Sequence, residues 1–148
     1  MRIARALGEP ELLCWALNIQ IFALRQGSPR EPAEEILRIA EAAGLGEYRA
    51  VAHYSLYRAA LCESDLRAAA EHAALALEDA TDGQLQQILD ALGLFSFEAA
   101  MLRGDLPAAR RAFEERLTRL AQRGLADAAG VLLLGEVSLA WAKGIFPD

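Results

Sequence analysis

The chain has 148 residues, of which 31 are alanine and 25 leucine, against 3 valines, 7 isoleucines and 2 threonines. Strands favour β-branched and aromatic side chains whereas helices favour Ala, Leu, Glu and Arg, so this composition excludes a β fold and argues against an α/β sheet. At 54% hydrophobic and 24% charged it is no disordered tail, and a net charge of −6 disfavours direct nucleic-acid contact, which needs a basic face for phosphates.

Breakers cut the sequence into helical runs of similar length. Residues 2–8 read as the tail of a helix capped by Gly8. The run 11–26 stops at Gly27-Ser28-Pro29, 31–43 at Gly44-Leu45-Gly46, and 47–63 at Ser64-Asp65. The run 66–80 stops at Thr81-Asp82-Gly83, 84–103 at Gly104-Asp105, 106–123 at Gly124, and 125–143 at Gly144. Glycine supplies the left-handed residue that ends a helix, while Ser and Asp accept hydrogen bonds from the free N–H groups of the next. After the tail at 2–8, seven helices joined by tight turns are expected.

Their spacing is periodic. Ala23, Ala60, Ala100 and Ala140 lie 37, 40 and 40 residues apart, and each is followed four residues later by Gly27, Ser64, Gly104 or Gly144. Asp-Leu follows twice, at Asp65-Leu66 and Asp105-Leu106. The second helix of each pair opens with a small residue and a further core position: Ala33 and Leu37, Ala69 and Ala73, Ala109 and Phe113. A fixed period built from helix pairs predicts an all-α fold, an α-solenoid of antiparallel helix pairs. Its units are 9–46, 47–83, 84–124 and an incomplete 125–148, and the open last unit reads as part of a longer protein.

The segment Gly104-Asp-Leu-Pro-Ala-Ala-Arg-Arg-Ala-Phe-Glu-Glu-Arg-Leu resembles the turn and second helix of a tetratricopeptide repeat, and Ser64-Asp-Leu-Arg-Ala-Ala-Ala-Glu-His-Ala is a weaker copy. The family's first-helix pattern is reduced to His53, Leu56, Tyr57 and Ala60, and the pitch exceeds the usual repeat of about 34 residues. Long-pitch repeats of this kind, with the runs Ala4-Arg-Ala-Leu-Gly-Glu-Pro-Glu-Leu-Leu-Cys-Trp-Ala-Leu-Asn and Tyr48-Arg-Ala-Val-Ala-His-Tyr, resemble the C-terminal helical regions of large bacterial transcription activators. These are the LuxR-type ATP-dependent regulators and the actinobacterial antibiotic regulatory proteins. The resemblance implies a cytoplasmic, non-enzymatic module that binds a protein, a peptide or other domains of its own regulator, or that reads a small-molecule inducer.

Catalytic and cofactor motifs are missing from the sequence. Gly44-x-Gly46 is followed by Arg49 where a dinucleotide loop needs glycine, and Lys143 is the only lysine, so no phosphate-binding loop exists. Neither His53 nor His72 has metal-ligand spacing, and both read as packed or half-exposed helix residues. Cys14 and Cys62 form no disulfide framework. The richest apolar run, 131–142, is interrupted by Gly135, Glu136 and Ser138, which argues against a membrane span. Glu34–Arg38, Arg110–Glu114 and Glu115–Arg119 are candidate i,i+4 ion pairs. No enzyme, cofactor or metal is expected.

The first helices of such a superhelix line its concave surface. Counting from the aligned alanines predicts four lining rows: Cys14, Val51, Ala91, Val131; Leu17, Tyr54, Leu94, Leu134; Ile21, Arg58, Glu98, Ser138; and Leu24, Leu61, Met101, Trp141. Apolar walls with a few polar groups suit an amphipathic peptide or a small ligand. Tyr54, Arg58, Glu98 and Ser138 form the expected polar strip, with Met101 and Trp141 as adaptable anchors. The run 125–143 is apolar on nearly every face, and self-association through it, giving a homo-oligomer, is expected.

Overall fold

The computed structural model describes residues 2–23, 29–122, 137, 138, 140 and 144. Among them the structure is helical, with no strand: α1 (Arg2–Leu7), α2 (Pro10–Ala23), α3 (Arg30–Ala43), α4 (Gly46–Cys62), α5 (Leu66–Asp82), α6 (Gln86–Leu92), α7 (Phe95–Leu102) and α8 (Leu106–Gln122). The chain divides into two compact units, Met1–Leu92 and Gly93–Asp148. Among the described residues no helix is long and apolar enough to cross a membrane.

Five of the expected helices form, and those of their ends that fall among the described residues lie within two residues of the expected places. The sixth expectation, one helix over 84–103, is corrected: it is interrupted by a turn at Gly93-Leu94 and becomes α6 and α7. The glycine at this turn has a close neighbour within the second unit. A Cβ on residue 93 would stand 2.5 Å from Nη1 of Arg116, a largely buried side chain of α8, so only glycine leaves that guanidinium its place. The expected helix over 125–143 falls almost entirely outside the described residues; of these, Val137, Ser138 and Ala140 are helical.

In the first unit each helix packs mainly on its neighbour in the chain, while α2 also touches α4 and α4 touches α6. Burial explains the order. In α3, Pro32, Ala33, Ile36 and Ala40 make one buried stripe, and in α5 Ala69, Ala73, Ala76 and Ala80 do the same at intervals of three and four. Helix α4 is buried on several faces at once, through Ala50, Ala52, His53, Ser55, Leu56, Tyr57, Ala59 and Ala60, because it is packed between α3 and α5. The alanine stripe of α5 puts no bulk between the two backbones. Most of the gain comes from the larger buried side chains: Tyr57, Leu17 and Ile36 are at most 2% exposed, and each such group contributes about 1.5–3 kcal/mol. Cys14, Leu17, Ile36 and Ala52 form a core cluster with Leu13, Ile21, Leu37 and Tyr48 packed against it. In the second unit Ala100 and Ala109 meet between α7 and α8, and the Phe97 and Phe113 rings lie 5.6 Å apart beside them.

Four helix ends are built alike. The N–H groups of Leu45, Asp65, Leu85 and Asp105 donate to the carbonyls of Ala40, Ala60, Ala80 and Ala100, at 2.8–3.0 Å. The preceding residue takes a left-handed φ each time: Gly44 at 68°, Ser64 at 58°, Gln84 at 55° and Gly104 at 71°. This is the wrap that satisfies the last free carbonyls of a helix. All four alanines are buried, and they recur every twenty residues. Asp65 and Asp105 then cap the next helix, their Oδ1 atoms accepting from the N–H groups of Ala68 and Ala108 at 3.0 Å.

Inter-helix ion pairs border these seams. Arg5 on α1 donates to both carboxylate oxygens of Glu35 on α3, and Arg30 on α3 reaches Glu63 beyond α4 at 2.6 Å. Arg49 on α4 pairs with Asp79 on α5. The expected Arg110–Glu114 pair is present at 3.8 Å, whereas Glu34 is reached by Arg30 at 3.7 Å.

Candidate binding groove

The first unit carries an open groove of about 1030 Å³ between α2, α4 and the turn that leads from α5 into α6. Ile21 comes from α2; Val51, Tyr54 and Arg58 come from one face of α4, at i, i+3 and i+7; Leu85, Ile88 and Ala91 come from the turn and α6. Arg58 is exposed and Tyr54 half-buried, with its ring 5.9 Å from that of Tyr57 in the core beneath. A half-buried phenol braced on a buried ring is held in place while its outer edge remains available to a ligand. Ser55 is turned inward, its hydroxyl donating to the Val51 carbonyl at 2.9 Å.

Five of the residues expected on the lining rows meet here: Ile21, Val51, Ala91, Tyr54 and Arg58. Two others are corrected. Cys14 and Leu17 are 0% and 1% exposed and belong to the core cluster under the groove, because α3 covers that side of α2. Burial pushes the Cys14 thiol above its ordinary pKa, and the Glu35 carboxylate adds to the effect, so this cysteine is held protonated. Among the other expected site residues, Glu98 and Met101 lie on α7 in the second unit, where Met101 packs against the Ala100–Ala109 contact. Ser138 is half-buried in helix in the same unit, and Trp141 lies outside the described residues.

The groove also holds amides, which lie outside the four expected lining rows. Asn18, Gln84, Gln86 and Gln87 all line the groove. The chain has one asparagine and six glutamines in total, so more than half of its carboxamides gather in this one place. Three of the glutamines lie within four consecutive residues, and that local cluster was the available signal. Gln86 donates to Asp90 on its own helix at 3.0 Å. The remaining polar group is the exposed Glu47 carboxylate at the start of α4.

The arrangement offers recognition chemistry: an aromatic edge, one guanidinium, one carboxylate and several amides over apolar walls. Among the described residues no group of three or more His, Cys, Asp or Glu side chains could hold a metal ion. No family model, curated protein or solved structure matches the chain.

Proposed function

We propose that the chain is a non-enzymatic protein-interaction and oligomerisation module of a bacterial transcriptional regulator, and that the first unit binds an extended peptide segment in its groove. The observation that carries this reading is the gathering of Tyr54 and Arg58 with Asn18, Gln84, Gln86 and Gln87 over the apolar Ile21, Val51 and Ile88. A primary amide offers a donor and an acceptor together, which matches the N–H and C=O of a peptide backbone, and the apolar floor takes side chains. The contacts of α2 with α4 and of α4 with α6 are those a solenoid of helix pairs needs, and they support a tetratricopeptide-like arrangement.

Panning a random-peptide display library against the 148-residue chain tests it. Selected peptides should lose at least about tenfold in affinity, roughly 1.4 kcal/mol, in Tyr54→Ala and in Arg58→Glu. Binders indifferent to both substitutions would contradict the proposal. A second reading, an inducer-sensing site for a small molecule, is favoured by the groove's volume of about 1030 Å³ and by Tyr54 as a stacking surface. A metabolite that raises the melting temperature of the wild-type chain and not of Tyr54→Ala would select it.

A further inference from the structure

The seam between α4 and α5 contains a contact that neither packing nor groove chemistry requires. His53 Nδ1 and His72 Nδ1 lie 3.2 Å apart, the ring centroids 5.4 Å apart at a 30° tilt. His53 is 8% exposed and His72 half-buried. One turn before His53 on the same helix stands Arg49, paired with Asp79 of α5. The charged groups that face the two imidazoles are Arg49 from α4; Glu71 and Asp79 from α5; and Arg30, Glu34 and Glu41 from α3.

We propose that the His53–His72 contact is a proton-operated latch: it closes the α4–α5 seam while one imidazole can accept from the other, and it releases when both rings carry a proton on Nδ1. With both rings neutral, one Nδ1–H donates and the other Nδ1 accepts. A first proton goes to the free Nε2 of the donor ring and leaves this bond intact. A second has only the accepting Nδ1 to bind. It replaces the bond by two N–H groups face to face on two cations 3.2 Å apart.

Burial opposes protonation at both rings and holds each below its ordinary pKa. At His53 the second cause is the charge of His72, and at His72 it is the Arg30 guanidinium; the surrounding carboxylates offset only part of this. A histidine held low in the fold takes up its proton fully only on unfolding. The stability it lends is therefore complete above its ordinary pKa of about 6.5 and is lost as pH falls below that value.

The seam has a readout elsewhere in the unit. Helix α4 carries Tyr54 and Arg58, and α5 runs through Gly83 and Gln84 into α6, so a shift of α5 against α4 would move the amide-bearing turn relative to these two side chains. This consequence rests on the binding role given to the groove; the latch itself does not.

The test is urea unfolding of the wild-type chain and of His72→Gln between pH 8 and 5, in buffer containing EDTA so that no metal ion shared by the two nitrogens contributes. A glutamine amide still donates to the His53 Nδ1 and takes no charge. Between pH 6.5 and 5 the wild-type folding constant should fall more steeply than the variant's, by up to about tenfold per pH unit for the one imidazole removed. Parallel curves would overturn the proposal. Titration of the imidazole resonances of the wild-type chain gives an answer without any variant. The pair should titrate in two separated steps, both below about 6.5, and a single step at or above that value would overturn it. Neither readout involves a ligand, so failure of the groove's binding role would leave both results standing.

Discussion

The repeated helix end makes a prediction of opposite sign at two equivalent positions. Ser64 and Gly104 lie forty residues apart, take φ of 58° and 71°, and sit in the same hydrogen-bonded wrap on Ala60 and Ala100. A side chain at a left-handed φ costs roughly 1–2 kcal/mol, and glycine there gives back about 0.5–1 kcal/mol through its larger freedom in the unfolded chain. Ser64→Gly should therefore stabilise the first unit by about 0.5–1 kcal/mol. Gly104→Ala should destabilise the second by a similar amount. No atom lies within 4 Å of a Cβ added at Gly104, so the cost is one of backbone conformation alone. Urea unfolding followed by circular dichroism measures both. With a slope of about 1–3 kcal/mol per molar, the midpoints should move by about 0.2–1 M in opposite directions. A less stable Ser64→Gly, or an unchanged Gly104→Ala, would refute the claim that these ends share one conformation for one reason.

Other outcomes follow from packing and burial. Ala100 is 1% exposed against Ala109 of α8, so Ala100→Leu should overpack that contact and cost about 1–3 kcal/mol; an unchanged melting temperature would mean that the close approach is misplaced. Gly93→Ala should destabilise the second unit by about 1–2 kcal/mol by displacing the Arg116 guanidinium. In an Arg116→Ala background the same change should be neutral or stabilising, and a double-mutant cycle with no coupling would contradict this. Cys62 is exposed while Cys14 is buried with its thiol pushed up. Labelling with an aromatic disulfide at pH 8 should thus show one fast and one slow thiol, the fast one lost in Cys62→Ser. Equal rates would argue against the burial of Cys14 under α3.

Much of the fold was legible because its signals are local. Gly44, Ser64-Asp65 and Gly104-Asp105 announce helix ends through backbone conformation and capping, which require no knowledge of the neighbours. The alanine period announces where helices approach one another. The break at Gly93 was not legible: the guanidinium that this glycine accommodates belongs to Arg116, twenty-three positions further along the sequence. A lone glycine in a helical run carries no sign of the side chain it makes room for. The same limit divided the groove. Val51, Tyr54 and Arg58 followed from one helix's periodicity, whereas Cys14 and Leu17 lie under α3, a covering that period alone does not reveal. The amides entered from the α5–α6 turn, whose direction depends on Gln84 adopting φ of 55° where the other turns use Gly or Ser. The His53–His72 contact was hidden for another reason: two histidines nineteen residues apart on different helices meet only through the pairing of α4 with α5.

The most direct test of the binding role is to map a selected peptide onto the chain by amide and side-chain chemical-shift changes. The largest changes should fall on Asn18, Ile21, Val51, Tyr54, Arg58 and Ile88, which line the groove. Changes confined to the exposed faces of α3 and α5, with these six unmoved, would contradict it.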